Sequence, residues 1–207
     1  MIVRLYETPP VGVTVNGKFI KCDFDFRNVL KMLDIMQRED LYPDARDFLC
    51  VKCVVIRPRK VKDVAATYKE INNVLFEKTP GENGEKITSF EQDAGMIRAA
   101  FRQVYRIDLF KDRLTWFEFA DLLHSLPEGN KYSDVLGIRA RPLPAPTKYN
   151  AKEREWLMKA KQTYKIHLTE IEAEKRYDRD VNRVFAGLMS MIPKDGENNS
   201  GGRAGSI

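Results

Sequence analysis

The chain contains one pair of cysteines whose spacing could support redox or metal chemistry, Cys50-Val-Lys-Cys53. Two thiols separated by two residues form the active disulfide of redox proteins or half of a structural zinc site. The pair lies inside the apolar run of residues 48–56, and a structural zinc site needs about four ligands. The chain offers one further cysteine, Cys22, and two histidines that are far apart. This pattern predicts small buried thiols in a reducing compartment, and no metal or other cofactor.

Histidines and carboxylates are the other groups that could act as acids, bases or ligands. His124 lies near the end of a predicted helix and His167 on a charged helix, and neither has a serine, cysteine or paired carboxylate at the spacing of a triad or dyad. Asp23 and Asp25 alternate with apolar residues, which places both on the solvent face of a predicted strand. The sequence contains no glycine-rich phosphate loop. It therefore predicts a protein without enzymatic activity.

Basic residues form two clusters that could contact nucleic acid. One is Arg57-Pro-Arg-Lys-Val-Lys62, and the other extends over residues 139–165, where it includes Tyr149, Trp156 and Tyr164. The net charge of +5 comes from residues 139–207, which hold 14 basic and 9 acidic residues, because residues 1–138 hold 21 of each. Acidic residues interrupt both clusters, as they do on the solvated faces of ordinary helices. A protein-binding role is therefore favoured, with nucleic-acid binding as the alternative.

The elements that must position these residues are mainly α-helical and follow an N-terminal β-hairpin. Asn16-Gly17 stands between two apolar runs, which predicts a type I′ turn. From Phe26 onward the apolar residues recur every three or four positions, which predicts a helix, and further helices are predicted over residues 42–56 and 62–77. The fold class is therefore mainly α, with a hairpin at one end of the chain and a long helix at the other.

Two adjacent amphipathic helices are predicted between residues 89 and 126. Ser89 with Gln92, and Thr115 with Glu118, have the spacing of a capping box, in which two side chains satisfy free N–H groups at the start of a helix. Apolar residues follow each box at helical spacing. We expect the two helices to pack as an antiparallel pair that buries both apolar stripes.

The sequence is predicted to divide into four segments. Residues 1–140 form a domain of hairpin and helical core, and residues 141–148, which include three prolines, form an extended spacer. Residues 149–192 form a charged amphipathic helix, and residues 193–207 form a disordered tail rich in Gly, Asn and Ser. No stretch approaches the roughly 18 apolar residues of a membrane helix and the N-terminus lacks the pattern of a signal peptide, so we expect a cytoplasmic protein.

A continuous run of residues, followed by ordered aromatic and aliphatic positions, extends over about fifty residues of the chain: Ser89-Phe-Glu-Gln-Asp-Ala94, Ile97, Ala99-Ala-Phe101, Tyr105, Ile107-Asp-Leu109, Leu114, Trp116, Phe119, Leu122 and Ile138-Arg139. Together these residues resemble the bacteriophage gene-product-fifteen family of long-tailed phages, and the resemblance covers most of residues 1–165. The sequence departs from the family at Arg106, where a glycine is common, and at Phe117, where a second tryptophan often stands. The motif residues expected to form the core are Phe90, Gln92, Asp93, Ile97, Phe101, Tyr105, Trp116 and Phe119.

The resemblance implies a role in phage tail assembly. That family is typically encoded just before the tape measure protein, in the position of tail assembly chaperones, so the expected partner is the tape measure protein and the expected location is the host cytoplasm. A companion chaperone or a second copy of the chain is a further expected partner. Such a chaperone needs an exposed helix stripe that binds another helix reversibly. The residues expected to do so are Trp156, Ala160, Tyr164, Leu168 and Ile171.

Overall fold

The computed structural model describes residues 7–76 and 87–167. The described elements are the strands β1 (Gly12–Val15) and β2 (Lys18–Lys21), a 3₁₀ helix (Pro58–Lys60), and the helices α1 (Phe26–Met36), α2 (Pro43–Val54), α3 (Val64–Leu75), α4 (Ala94–Val104), α5 (Trp116–His124), α6 (Lys131–Ala140) and α7 (Ala151–Thr163). The prediction of a mainly helical protein with an N-terminal hairpin is confirmed. None of the helices in the described part is long and apolar enough to cross a membrane.

The hairpin forms at the predicted turn. Asn16 and Gly17 have φ angles of 49° and 72°, which is the positive-φ pair that a type I′ turn requires. The two strands are antiparallel, with Val13 opposite Ile20. Beyond β2 the chain stays extended, and the N–H of Asp23 donates to the carbonyl of Val54 at 2.7 Å, so the hairpin is joined to the end of α2.

Asp25 marks the point where the extended chain becomes α1. Its side chain accepts a hydrogen bond from the N–H of Arg27 and caps the helix, and its backbone forms an antiparallel bridge with Thr115 at the start of α5. The expectation that Asp25 lies on the solvent face of a strand is therefore wrong. The regular strand ends at Lys21, and Asp25 is buried because it caps a helix between two packed elements.

The second and third helices lie within the predicted ranges. Pro43 stands at the first turn of α2, where its missing N–H leaves no hydrogen bond unmade. The helix ends before Pro58, which cannot continue it. Asp63 caps α3 by accepting from the N–H of Ala66 at 2.9 Å.

The helices α4 and α5 differ in how well their starts were predicted. The capping box of Thr115 and Glu118 is present, with the N–H of Thr115 donating to Glu118 Oε2 at 2.8 Å. The box at Ser89 is different from the prediction, because α4 begins at Ala94 and the N–H of Ser89 donates to Asp93 Oδ2 at 3.0 Å. The hydroxyl of Ser89 accepts from the N–H of Gln92 at 3.3 Å, as predicted, and the carboxylate of Asp93 accepts from the N–H of Ser89.

Aromatic rings from several helices meet in the core. Phe119 of α5 stacks on Phe26 of α1 and on Phe101 of α4, with centroid distances of 4.7 and 5.3 Å. The hydroxyl of Tyr105 donates to the carbonyl of Leu122 at 2.9 Å. Of the eight expected core residues, Gln92 is exposed, Phe90 and Tyr105 are half-buried, and the others are buried: Asp93, Ile97, Phe101, Trp116 and Phe119.

The segment of residues 141–148 connects α6 to α7, and the two helices pack against each other. Leu157 of α7 is fully buried, and the described residues up to Ile166 belong to one compact unit. The predicted helix of residues 149–192 ends at Thr163 in the structure, and residues 164–167 are not helical. The remainder of that predicted helix, with Leu168 and Ile171, and the predicted tail of residues 193–207 lie outside the described residues.

Candidate partner-binding surface

The three thiols lie in and near the core between α1, α2 and the hairpin. Cys22 and Cys50 are buried, and Cys53 is half-buried. Burial raises the pKa of Cys22 and of Cys50 from 9.0 to about 11, and it also raises the pKa of Cys53. Because the thiolate is the form that attacks disulfides and binds metals, these environments oppose both reactions near neutral pH. Within residues 7–76 and 87–167, no group of three or more potential ligands could hold a metal ion.

His124 is the last residue of α5, whereas His167 lies four residues beyond the end of α7, so its predicted place on a helix is wrong. Nδ1 of His124 lies 2.8 Å from the carbonyl oxygen of Ala120 at the exposed end of α5. This position suits a residue that complements the negative end of a helix dipole. His167 follows α7 and is exposed.

The acidic pair Asp23 and Asp25 meets two arginines. Nη1 of Arg27 donates to both carboxylate oxygens of Asp25, and Nη2 donates to the carbonyls of Leu109 and Asp112 at 2.8 and 2.7 Å. Arg113 contacts Asp23 at 3.1 Å and Asp25 at 3.3 Å. These guanidinium groups hold the loop before α5 against the start of α1, so the carboxylates have a structural role.

Among the ion pairs of residues 7–76 and 87–167, the most buried joins Asp93 to Arg139, near the two ends of the motif-rich stretch. The guanidinium is bidentate, with distances of 2.7 and 2.9 Å to the two carboxylate oxygens. Only 1% of the Asp93 side chain and 9% of the Arg139 side chain are exposed. The same guanidinium donates to the carbonyls of Ile87 and Tyr164 at 3.0 and 2.7 Å. A single arginine therefore ties α4, α6 and the end of α7 together.

Further contacts fix α7 on this network. Nζ of Lys161 donates to the carbonyl of Arg139 at 2.7 Å, and Ile166 is buried just beyond the helix end. Because buried Leu157 and the hydrogen bond of Lys161 hold α7 in place, its remaining side chains are presented to solvent in a defined orientation.

Trp156 and Ala160 lie four residues apart on one side of α7, and Tyr164, the C-cap residue directly after the helix, continues the same spacing. We refer to these three residues as the α7 surface. Trp156 is 55% exposed, whereas Ala160 and Tyr164 are half-buried. Met158 is also exposed, and buried Leu157 lies between it and Trp156 around the helix. The structure thus brings together three of the five residues predicted to bind a partner.

A second surface was not predicted from the sequence. A groove of about 740 Å³ lies between β2 and residues 55–63, and it is bordered by five basic side chains: Lys18, Lys21, Arg57, Lys60 and Lys62. The sequence indicated the basic run of residues 57–62, but two lysines of the hairpin complete the border. These lysines flank Phe19 and Ile20 in β2. Lysines on a strand are typical of an exposed edge, and they could have indicated this surface.

The family model described as bacteriophage Gp15 protein matches residues 7–166 of the chain. A search of the curated proteins found no match, and a search of the solved structures also found none. The matched region ends at the residue where the compact unit ends.

Proposed function

The chain belongs to the bacteriophage Gp15 protein family and is therefore a phage protein, and we propose that it acts as a non-enzymatic tail assembly chaperone. Its partner would be the tape measure protein, bound in the host cytoplasm before the tail tube forms. The resemblance supports this role, because the family is typically encoded just before the tape measure protein. A long, apolar, helix-prone protein must be covered until tube subunits polymerise around it.

The observation that carries the proposal is the exposed indole of Trp156 on a helix that is itself firmly attached. Large aromatic side chains contribute most of the binding energy in many protein interfaces, particularly when rigid neighbours hold them in place. Leu157 is fully buried and Arg139 binds the carbonyl of Tyr164. The α7 surface is thus pre-organised to pack against an amphipathic helix.

The proposed partner also fits the chemistry of this surface. An amphipathic helix presents apolar residues at spacings of three and four. Trp156, Ala160 and Tyr164 offer an aromatic, a small and an aromatic residue at a spacing of four. We expect a side chain of the partner to pack over the small Ala160. No catalytic step is required for such a role.

The proposal is tested by co-expressing the full chain with the tape measure protein encoded beside it. We expect the chain to increase the soluble fraction of that protein and to co-purify with it. Trp156→Ala should reduce the co-purified amount about tenfold or more, because losing an aromatic anchor costs about 2 kcal/mol or more.

Tyr42→Ala is the matched control, because Tyr42 is an exposed aromatic residue at the start of α2, outside the α7 surface. It should leave co-purification unchanged. If the tape measure protein is no more soluble with the chain than without it, the chaperone role is refuted. If Trp156→Ala and Tyr42→Ala have equal effects, the α7 surface is not the binding site.

A companion chaperone or a second copy of the chain could also cover the α7 surface. Analytical ultracentrifugation of the purified chain, alone and with the tape measure protein, separates these arrangements. We expect self-association to decrease when the tape measure protein is added, because both partners would compete for Trp156.

A further inference from the structure

The groove beside the hairpin has an apolar interior. Ile20 of β2 and Val61 are half-buried in it, Val55 is buried, and Ile56 is exposed at its margin. Its volume of about 740 Å³ lies within the range of roughly 300–1,000 Å³ that is typical of ligand sites. A groove of this kind excludes water from an apolar side chain that enters it.

One wall of the groove is a strand edge with unused backbone groups. In an antiparallel strand, successive residues direct their N–H and C=O groups to opposite sides. The N–H of Cys22 donates towards β1, to Val11, whereas the carbonyl of Lys21 accepts from Ile56 on the opposite side. Phe19, two residues before Lys21, therefore directs its N–H and C=O away from β1. No residue of the described ranges pairs with the backbone of Phe19 on that side.

The border of the groove is strongly basic. It carries five Lys or Arg side chains and one acidic residue, Asp63. None of the five basic groups forms a salt bridge with another residue in the described part of the chain. Their positive potential is therefore available to an acidic ligand.

We propose that this groove binds an extended acidic segment of a partner protein, which adds a strand to the free edge of β2. The peptide backbone pairs with Phe19, alternate apolar side chains enter the groove, and the intervening carboxylates face the lysines of its border. This binding site is separate from the α7 surface and does not depend on the chaperone role.

A protein segment fits these features better than nucleic acid does. The interior is lined mainly by aliphatic side chains, with Phe19 as the aromatic residue, whereas single-stranded nucleic acid binds on several stacked rings. The unpaired backbone of Phe19 offers one donor and one acceptor. A peptide backbone satisfies both with its own C=O and N–H, whereas a phosphodiester offers acceptors only.

The test uses the full chain and a fluorescein-labelled decapeptide of alternating glutamate and valine, with both ends blocked, in a fluorescence anisotropy titration. We expect saturable binding that weakens as salt increases. Lys21→Glu should weaken binding about tenfold, because it places a like charge beside the ligand. Lys31→Glu changes the net charge equally on the exposed face of α1, and it should leave binding unchanged. Thermal unfolding of both variants checks that they are folded.

Three results would overturn the proposal. The first is a failure of strand pairing, which would appear in either of two ways. The peptide does not bind, or a peptide with methylated alternate backbone amides binds equally well, although methylation removes the N–H groups that strand pairing needs. The second is displacement of the peptide by a thymidine oligonucleotide that shows the same dependence on Lys21. The third is a photo-crosslinker in place of Phe19 that reacts only with residues 168–207 of its own chain, because that segment would then be the occupant.

Discussion

Replacing Arg139 by methionine should destabilise the protein more than any exposed charge substitution. Methionine keeps much of the side-chain length but removes the guanidinium, so the carboxylate of Asp93 stays buried without a counter-charge. The N–H of Ser89, which lies 3.0 Å from Oδ2, would still donate to this carboxylate. The carbonyls of Ile87 and Tyr164 lose their donor as well.

The size of the effect follows from burial. Removing one partner of a buried ion pair costs about 3–5 kcal/mol, because an uncompensated charge remains in a poorly polarisable environment. Asp93 is 1% exposed and the pair is bidentate, so Arg139→Met belongs in this range. Domains of ordinary size are stable by only about 5–15 kcal/mol, so this loss is a large share of the total.

The assay is urea unfolding followed by circular dichroism. With a dependence on urea of about 2 kcal/mol per molar, the midpoint should fall by roughly 2 M. Arg102→Met is the matched control, because Arg102 pairs with Asp108 at 3.2 Å while 72% of its side chain is exposed. An exposed pair contributes at most about 1 kcal/mol, so this midpoint should move by no more than about 0.5 M.

A double variant distinguishes a buried charge from a simple loss of packing. Asp93→Asn combined with Arg139→Met removes both charges, so it should be more stable than Arg139→Met alone. If the double variant is no more stable, or if Arg102→Met is as damaging as Arg139→Met, the reasoning from buried charge is refuted.

Three further predictions concern capping, backbone conformation and the thiols. Thr115→Ala should lower the free energy of unfolding by about 1 kcal/mol in the same urea assay, because it removes the cap of α5. Thr163→Ala, at the exposed end of α7, is the control, and an equal loss in this variant would contradict the prediction. Arg106 has a φ of 60°, so Arg106→Gly should raise stability by up to about 1 kcal/mol as strain is relieved, and a decrease would show that the side chain contributes more than the strain costs. The pKa values of Cys22 and Cys50 are raised from 9.0 to about 11, so the unfolded state loses these protons first and stability should fall as pH rises from about 9 to 11. Unfolding followed against pH tests this, and a rise in stability over that interval would refute the assigned burial.

The hairpin and the start of α5 were predictable because their signals are local. Asn16-Gly17 specifies its turn through two adjacent residues, and Thr115 meets Glu118 within one helical turn. Such interactions depend on backbone geometry over a few residues, which spacing in the sequence describes well.

The start of α4 and the end of α7 depend on partners far along the chain. Asp93 caps the Ser89 turn while it also binds Arg139, 46 residues away, and no spacing rule identifies that pair. The sequence has no glycine or proline between residues 163 and 167, so nothing local indicates that α7 ends at Thr163. Burial of Ile166 and the bond from Arg139 to Tyr164 accompany that end. The groove was missed for the same reason, since β2 and residues 55–63 supply different parts of it.

The residues that carry the family resemblance are therefore mostly those that hold the fold together. Phe101 and Phe119 form the aromatic core, and Asp93 and Arg139 form its buried ion pair. A change at any of these residues affects stability whatever the protein binds, so the motif indicates the fold and does not identify the partner. The proposed binding surfaces consist instead of exposed side chains such as Trp156, where substitutions usually change stability by about 0.5 kcal/mol or less. Substitutions there should alter binding while the unfolding midpoint stays constant. A loss of binding can then be distinguished from a loss of stability.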